Sequence, residues 1–193
     1  MTKIIRKLIS LILYCVILIT ILAAIAVKLF PFDYFDTVTA ECEKYGTDPL
    51  LVMALIKSES NFDEKITSKK GAVGLMQITP ETAEWCANKM ELDDYDESAL
   101  YEPETNIKIG VWYINYLTEH FNGNTTSAIA AYNAGIGNVI KWLKSEEHTE
   151  DGENLTSIPF GETDSYVKKV INYHKIYTYI YKAKGAIENE STI

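Results

Sequence analysis

The chain has few of the residues that metal sites and disulfide frameworks require. Its 193 residues include three cysteines and three histidines, with no CxxC pair and no HExxH pattern. Cys15 lies in an N-terminal apolar run, which leaves Cys42 and Cys86 in the body of the chain. A disulfide between these two stays open, although two buried free thiols are the interpretation we favour. We therefore expect no metal site and no cofactor.

Positive charge is scarce beyond residue 30. The chain carries 18 Lys and Arg against 27 Asp and Glu, a net charge of −9. Lys3, Arg6, Lys7 and Lys28 belong to residues 1–30, which contain no acid, so 18 minus 4 leaves 14 basic residues against 27 acidic ones. Because phosphate contacts need clustered Lys and Arg, the acidic body predicts no nucleic-acid partner.

A long uncharged run lies near the N-terminus. It extends over 20 residues, from Leu8 to Val27, and a helix of that length spans about 30 Å, the thickness of a bilayer core. Since basic residues precede the run, a cytoplasmic N-terminus and an exported body are predicted. Residues 24–26 (AIA) resemble a signal-peptidase site, so a signal peptide is the alternative. We predict a membrane anchor over residues 1–28 of a cell-membrane protein whose body faces the cell wall.

Helical patterning dominates the body. Asp48 before Pro49 and Thr79 before Pro80 each place a capping side chain next to a proline suited to the first helical position. Loops are predicted where glycines interrupt the period, at residues 61–78 and 145–162. Helices are predicted over residues 37–45, 49–60, 80–90, 103–120, 126–133, 137–143 and 163–184. The acidic stretch at 93–97 lacks the ligand spacing of an EF-hand loop and is predicted to be a solvated turn.

The predicted organisation is a mainly α single domain after an N-terminal transmembrane helix. Residues 29–36 form an aromatic stalk in this interpretation, residues 37–184 form the folded domain, and residues 185–193 form a flexible tail. No run has convincing period-two alternation, apart from a few residues within the loop at 61–78.

Glu59 is an acidic residue at the end of an apolar helix. Residues 51–60 read LVMALIKSES, and burial among aliphatic side chains disfavours the charged form of a carboxyl group. A glutamic acid that keeps its proton near neutral pH can deliver it to a leaving oxygen, as glycosidic-bond cleavage requires. Glu59 is therefore the predicted general acid. The alternative is a surface glutamate near a helix C-terminus, which the helix dipole disfavours.

Six segments together resemble the catalytic domain of the soluble lytic transglycosylases, which shares a fold with goose-type lysozyme. They are residues 56–62 (IKSESNF), Ser68 with 71–77 (GAVGLMQ), 80–83 (PETA), 106–110 (NIKIG), 131–135 (AYNAG) and 162–167 (ETDSYV). The resemblance covers about residues 37–182 and implies a lysozyme-like fold. The small membrane-anchored layout is similar to that of wall-cleaving enzymes of Gram-positive bacteria.

The resemblance implies a substrate and a reaction. Enzymes of this family cleave the β-1,4 bond between N-acetylmuramic acid and N-acetylglucosamine in peptidoglycan glycan strands. They do so without water, since the muramyl 6-hydroxyl attacks its own anomeric carbon and leaves a 1,6-anhydromuramyl end. Glu59 would act first as acid and then as base. We expect the protein to act as a monomer on glycan strands.

The resemblance also implies substrate-binding roles. Those residues are Ser68, Met76, Gln77, Tyr132, Asn133 and Glu162. Ser68 would orient the substrate or the acid, while the Met76 thioether and the Gln77 amide would line the groove. The Tyr132 hydroxyl and the Asn133 amide would lie by the scissile bond, and Glu162 would form hydrogen bonds rather than act as a nucleophile.

Five of these six residues also have a purely structural interpretation. Ser68 could form a local turn bond, Met76 could pack in the core, and Tyr132 could pack between helices. Asn133 could end a helix, and Glu162 could cap the last one. The tyrosines at helical spacing in that last helix, Tyr166, Tyr173, Tyr177 and Tyr181, are predicted to pack rather than to bind sugars.

Two rival functions remain open from the sequence. A lysozyme-type hydrolase of the same fold would need a second carboxylate to activate water, for which Asp63, Glu64 and Glu162 are the candidates. A non-catalytic wall-binding module is the more distant rival, and the protonatable acid of Glu59 argues against it.

Overall fold

The structure is a computed structural model that describes residues 3–92 and 95–190, with side chains as far as residue 185. The chain divides into two compact units, Met1–Asp33 and Tyr34–Ile193. The first unit contains helix α1 (Lys3–Leu29), none of whose side chains is buried. Its mean hydropathy reaches 3.0, and its length and composition are those of a membrane-crossing helix. A signal sequence near an N-terminus satisfies the same criteria.

The second unit is built from helices joined by loops. Its helices are α2 (Phe35–Glu43), α3 (Pro49–Glu59), α4 (Pro80–Lys89), α5 (Pro103–His120), α6 (Thr125–Ala134), α7 (Ile136–Trp142) and α8 (Gly161–Glu190), with a 3₁₀ helix over Glu97–Tyr101. Isolated β-bridges join Val73 to Thr67 and to Ile78 within the predicted loop. The mainly α prediction is therefore confirmed for the described part of the chain.

The predicted caps form as expected. The Asp48 carboxylate accepts a hydrogen bond from the backbone N–H of Leu50 at 2.9 Å, and Pro49 opens α3. Thr79 Oγ1 accepts from the N–H of Thr82 at 3.2 Å at the start of α4. These contacts satisfy N–H groups that a helix start leaves without partners.

Several helix boundaries differ from the prediction by one or more residues. Helix α2 begins two residues earlier than predicted, at Phe35, inside the predicted stalk. Helix α8 continues to Glu190 rather than ending near Lys184, so the predicted tail begins inside a helix. A 3₁₀ helix that the sequence does not predict begins at Glu97, the last residue of the predicted turn, and Asp96 caps it by accepting from the N–H of Ser98 at 2.8 Å. Asp93 and Asp94 of the predicted turn lie outside the described residues.

Helix α3 runs through the centre of the core. Leu51 to Ile56 are six consecutive buried residues, so the helix is enclosed on all sides. A helix that is apolar all round needs such an environment. Cys42 and Cys86 are buried free thiols, as favoured from the sequence. Because α3 is buried up to its last turn, Glu59 lies at the edge of the core.

Candidate active site

Glu59 is the last residue of α3, and the chain turns sharply after it. Asn61 and Phe62 have φ angles of 53° and 67°, in the left-handed region that is costly for a bulky side chain. The Ser60 hydroxyl steadies this turn by accepting a hydrogen bond from the N–H of Phe62 at 3.1 Å. Because the helix stops here, no further helical turn covers the Glu59 side chain.

Helix α8 supplies the hydrogen-bond partner of Glu59. The buried Tyr166 hydroxyl donates to Glu59 Oε1 at 2.5 Å. Burial raises the pKa of the Glu59 carboxyl from its usual 4.5 to about 6, opposed by this hydrogen bond and by the charge of Lys169. The sequence predicted the direction of this shift, and its first cause is the desolvation that the apolar helix imposes.

Lys169 links α8 to the carboxyl end of α3. Its Nζ donates to the Ser58 carbonyl oxygen at 2.9 Å and lies 5.7 Å from the ring centroid of Tyr166. A cation at this end of a helix is favourable because the last carbonyls carry partial negative charge. The ammonium therefore stabilises the turn that presents Glu59 and moderates the pKa of its carboxyl.

Tyr132, in α6, belongs to the same group of side chains. Its hydroxyl donates to the Met76 carbonyl oxygen at 2.8 Å. Burial raises the pKa of the Tyr132 hydroxyl well above its usual value, and the charge of Glu59 adds to the effect. Tyr166 is raised by burial and then by the charge of Glu59 in the same way. Glu59 and the two tyrosines thus interact electrostatically, and only the carboxyl titrates near neutral pH.

Asn133 is exposed at the end of α6 and contacts the first turn of α8. Its Oδ1 accepts from the hydroxyl of the buried Thr163 at 2.8 Å. The following Gly135 has a φ of 86°, which ends the helix at little steric cost. The Asn133 amide therefore joins two helices through its oxygen, although the residue is exposed.

Two predicted binding residues hold the loop at 61–78 in shape. The Ser68 hydroxyl oxygen accepts from the N–H groups of Ala72 at 3.0 Å and Lys70 at 3.3 Å. Gln77 has a positive φ of 49°, and its Nε2 donates to the carbonyl oxygens of Ile66 at 3.1 Å and Gly74 at 3.0 Å. Both side chains therefore form hydrogen bonds with the backbone of the loop itself.

The prediction that the Met76 thioether lines a groove is wrong. Met76 is fully buried, and a Cβ added to Gly110 would lie 2.2 Å from its sulfur. The absence of a side chain at Gly110 creates the space that the thioether fills, so Met76 packs in the core. Only its carbonyl oxygen takes part in the site, as the acceptor for Tyr132.

Relatives of the chain identify its family. The family description "Transglycosylase SLT domain" matches residues 36–155, more than half of the chain. The chain belongs to the transglycosylase SLT domain family. It is 38% identical over 164 residues to a soluble lytic murein transglycosylase of Salmonella typhimurium, and 32% identical over 165 residues to a membrane-bound lytic murein transglycosylase C of Edwardsiella ictaluri. These matches cover 84% and 75% of this chain but 25% and 46% of the relatives.

Solved structures show the same fold for the SLT domain. The 70 kDa soluble lytic transglycosylase of Escherichia coli superposes with a TM-score of 0.73 at 33% identity, covering 81% of this chain and 26% of the other. An inactive glutamate-to-glutamine mutant of the Pseudomonas aeruginosa lytic transglycosylase Slt gives a TM-score of 0.71 at 34% identity, covering 80% and 25%. The predicted lysozyme-like fold is thereby confirmed.

Glu162 and Tyr166 lie beyond the matched SLT segment. Glu162 is exposed in the first turn of α8, one position inside the helix start rather than at the cap. Tyr166 follows it by four residues, so the two side chains share one face of α8. Glu162 therefore lies on the face of the helix that carries the hydrogen-bond donor to Glu59.

The sequence does not predict the contacts of two residues at or near this site. The sequence predicts packing for Tyr166, because its spacing with later tyrosines matches a buried helix face. Asn106 received no role, although it is buried and its Nδ2 donates to the carbonyl oxygens of Val73 at 2.9 Å and Leu100 at 3.0 Å. Its Oδ1 accepts from the N–H of Met76 at 2.8 Å. A buried Asn within an otherwise apolar helix pattern was the available signal.

Proposed function

We propose that the protein is a peptidoglycan lytic transglycosylase that cleaves the β-1,4 bond between N-acetylmuramic acid and N-acetylglucosamine. The observation that carries the proposal is Glu59, half-buried at a helix end, with a pKa raised to about 6 and one oxygen bound by Tyr166. Membership of the SLT family supports the choice of peptidoglycan as substrate. The names of the relatives, soluble and membrane-bound lytic murein transglycosylases, support it as well.

The hydrogen bond to Tyr166 divides the roles of the two Glu59 oxygens. Oε1 accepts from the tyrosine, so the proton resides on Oε2 and faces the glycosidic oxygen. Donation of that proton lets the bond break, and the resulting carboxylate is stabilised by Tyr166 and Lys169. The same carboxylate then takes the proton of the muramyl 6-hydroxyl as that oxygen attacks the anomeric carbon. The product is a 1,6-anhydromuramyl end, and no water is consumed.

A single carboxylate suffices for this reaction because the nucleophile belongs to the substrate. An inverting hydrolase would need a second carboxylate about 6.5–9.5 Å away to activate water. Asp63 Oδ1 accepts from the N–H of Lys65, and Glu64 Oε2 accepts from the Tyr34 hydroxyl at 2.6 Å. These hydrogen bonds disfavour Asp63 and Glu64 as activators of water, and Glu162 is the candidate that product analysis has to exclude.

The remaining residues fit supporting roles in the groove. We assign the Asn133 amide nitrogen and the Gln77 amide oxygen to the acetamido and hydroxyl groups of the sugars, since their other atoms are bound by protein. Glu162, on the Tyr166 face of α8, would accept hydrogen bonds from sugar hydroxyls. Ser68 would act indirectly, by holding the turn of the loop. A pure wall-binding module has no use for a protonatable Glu59, which argues against that rival.

Helix α1 is proposed to anchor the enzyme in the cell membrane with the catalytic domain facing the wall. The basic residues before it support this orientation. The membrane-bound transglycosylase C relatives support an anchored form. We infer a single-pass protein that acts as a monomer on glycan strands and has no nucleic-acid partner.

Product analysis tests the proposal. The detergent-solubilised full chain would digest purified peptidoglycan, and mass spectrometry would distinguish anhydromuramyl ends from reducing ends, which are heavier by one water. We expect anhydro ends, and a loss of at least about 10³-fold in rate for Glu59→Gln, because the proton donor is removed. Glu64→Gln is the matched control and should cleave normally. Mostly reducing ends, or unchanged turnover by Glu59→Gln, would overturn the mechanism.

A further inference from the structure

Helix α8 carries positive charge in a domain that is otherwise acidic. Residues 165–187 include five lysines and no acidic residue. Residues 31–193 hold 14 basic and 27 acidic residues, so 14 minus 5 leaves nine basic residues against the same 27 acidic ones outside this segment. More than a third of the positive charge of the domain is therefore concentrated on one stretch of one helix.

Two of these lysines and a tyrosine form an exposed face of α8. Lys175, Tyr179 and Lys182 follow one another at spacings of four and three residues, so their side chains lie on one side of the helix. All three residues are exposed, and Tyr179 keeps 74% of its surface accessible. The buried Val170 and Tyr177 belong to the opposite side, which packs on the core. We call Lys175, Tyr179 and Lys182 the α8 outer face.

The first two lysines of the segment are engaged within the domain. Lys168 Nζ lies 2.6 Å from Asp164 Oδ2, and Lys169 Nζ donates to the Ser58 carbonyl oxygen at 2.9 Å. The positive charge that α8 presents outward is therefore concentrated in its C-terminal part, from Lys175 onward.

This C-terminal part of α8 packs against the start of the domain. The ring of Tyr181 lies 5.6 Å from the ring of Phe35, the first residue of α2, measured between centroids. Along the chain, Phe35 comes six residues after Leu29, the last residue of α1. Six residues extend over at most about 20 Å. With α1 in the bilayer, this short tether therefore keeps the C-terminal part of α8 close to lipid.

We propose that the α8 outer face is a docking surface for the anionic lipid headgroups of the membrane in which α1 is anchored. The inference rests on the proposed function, since it takes α1 as a membrane anchor. Lysine is attracted to anionic lipid, and tyrosine suits the membrane interface because its ring is apolar and its hydroxyl is polar. The acidic remainder of the domain is repelled by the same surface. The charge distribution thus selects one side of the domain for this contact.

Docking through this face leaves the candidate active site uncovered. Tyr166, whose hydroxyl binds Glu59, precedes Tyr179 by 13 residues on the same helix. At about 1.5 Å per residue, the two positions are roughly 20 Å apart along the helix axis. Tyr166 also belongs to the buried side of α8 rather than to the outer face. A domain held on lipid by its outer face can therefore still bind a glycan strand at Glu59.

Nanodiscs test the contact with the full-length chain. Cys15→Ser removes the exposed thiol, and Cys42 and Cys86 are buried, so Ala183→Cys can carry a fluorophore at an exposed position next to Lys182. Quenching by lipids with a nitroxide on the headgroup reports contact with the bilayer. We expect strong quenching in discs of equal parts phosphatidylglycerol and phosphatidylcholine. Quenching should fall in pure phosphatidylcholine and in about 0.5 M salt, because salt screens the attraction.

Neutralising the two lysines of the outer face gives the decisive comparison. Lys175→Gln combined with Lys182→Gln should lower the ratio of docked to undocked domains roughly 10- to 30-fold in the phosphatidylglycerol discs. Lys141→Gln combined with Lys144→Gln, which removes two exposed lysines at and just after the end of α7, is the matched control and should leave the ratio unchanged. Circular dichroism checks that both variants are folded.

The outcomes separate this inference from the proposed reaction. Equal quenching in the two lipid compositions, or no change on neutralising Lys175 and Lys182, overturns the docking surface, while anhydromuramyl products would still support the reaction. Preferential binding of soluble polyglycerol phosphate would assign the face to a wall polymer and overturn the lipid contact. A full chain that does not enter the discs refutes the anchor and the docking surface together. A docked protein that releases no anhydro ends keeps the docking surface and refutes the reaction.

Discussion

The two sides of the candidate active site are built differently. On the helix side, Glu59, Tyr132 and Tyr166 come from α3, α6 and α8 and interact with one another. On the loop side, Ser68 and Gln77 direct polar atoms to the backbone of the loop at 61–78. The helix side thus sets the pKa of a carboxyl group, whereas the loop side maintains the backbone conformation of the loop.

The difference explains how a long irregular segment can border a precise site. A loop has few backbone hydrogen bonds of its own, so side chains must supply them. Here the buried Asn106 of α5 bonds to Val73 and Met76, and Tyr132 bonds to the Met76 carbonyl oxygen. The candidate acid, Glu59, is positioned by the end of α3. The loop is positioned by side chains from α5 and α6.

Removing the loop's buried clamp should have the largest effect on stability. Asn106→Ala leaves the N–H of Met76 and the carbonyl oxygens of Val73 and Leu100 without these partners. The Val73 carbonyl oxygen keeps the N–H of Ile78 as a donor. Each buried group left unpaired costs about 1–3 kcal/mol, so we expect the free energy of unfolding to fall by roughly 2–5 kcal/mol. Urea denaturation measures the change.

The matched control for this clamp lies on the same helix. Asn115 is only half-buried, and its Nδ2 donates to Glu119 at 3.2 Å. Asn115→Ala should therefore cost less than about 1 kcal/mol. Equal losses for the two variants would show that the loop does not depend on Asn106.

Overfilling the space under the loop should have the next largest effect. A Cβ at Gly110 would meet Met76 Sδ at 2.2 Å, and overpacking of this kind costs about 1–3 kcal/mol. Gly110→Ala should lie at the upper end of that range. Gly137→Ala in α7, where no atom lies within 4 Å, is the control and should be neutral or stabilising.

A double-mutant cycle sharpens the same test. Met76→Ala alone should be destabilising by about 2–5 kcal/mol, because it leaves a cavity. In the double variant, the new methyl group at residue 110 occupies part of the vacated space. The summed single effects should then exceed the double effect by more than about 0.5 kcal/mol. Strict additivity would mean that Gly110 and Met76 do not share this space.

The two sides also differ in how far the sequence predicted them. The Asp48-Pro49 and Thr79-Pro80 pairs predict the starts of two helices. The position of Glu59 after an apolar run predicts the general acid. Both predictions use local sequence signals. The hydrogen bond from Tyr166 to Glu59 joins residues 107 positions apart along the chain. The hydrogen bonds from Asn106 to the loop span up to 33 positions. No local sequence pattern encodes these contacts. The burial of Met76 depends likewise on the missing side chain of Gly110.

On the helix side, the raised pKa of Glu59 predicts an effect on stability. With a folded-state pKa of about 6 against a usual 4.5, the folded protein binds the proton more tightly than the unfolded chain. The associated stability is present below pH 4.5 and is lost as the pH rises through about 6. Glu59→Gln avoids this loss and should be more stable than the parent by up to about 2 kcal/mol at pH 7.5, at about 1.36 kcal/mol per unit.

Urea unfolding at pH 4 and pH 7.5 checks this gain. The stabilisation by Glu59→Gln should nearly vanish at the lower pH, where the parent carboxyl is largely protonated in both states. Glu84→Gln, at an exposed residue of α4, is the matched control, and its effect should be close to zero at both values. A gain that does not vary with pH would place its cause outside the ionisation of Glu59.

The smallest expected effect concerns the hydrogen bond that moderates Glu59. Tyr166→Phe removes a donor that favours the charged carboxyl, so the pKa of Glu59 should rise further. The protonated acid would then persist to higher pH, and the alkaline limb of kcat/KM should move upward. The rate at low pH should fall less than about tenfold, since one hydrogen bond contributes about 0.5–1.5 kcal/mol. Tyr179→Phe, on an exposed part of α8, is the control. If Tyr166→Phe lowers the rate but leaves the alkaline limb of kcat/KM where it is, Tyr166 contributes packing alone. The pKa of Glu59 would then be set by burial, without a dedicated hydrogen-bond donor.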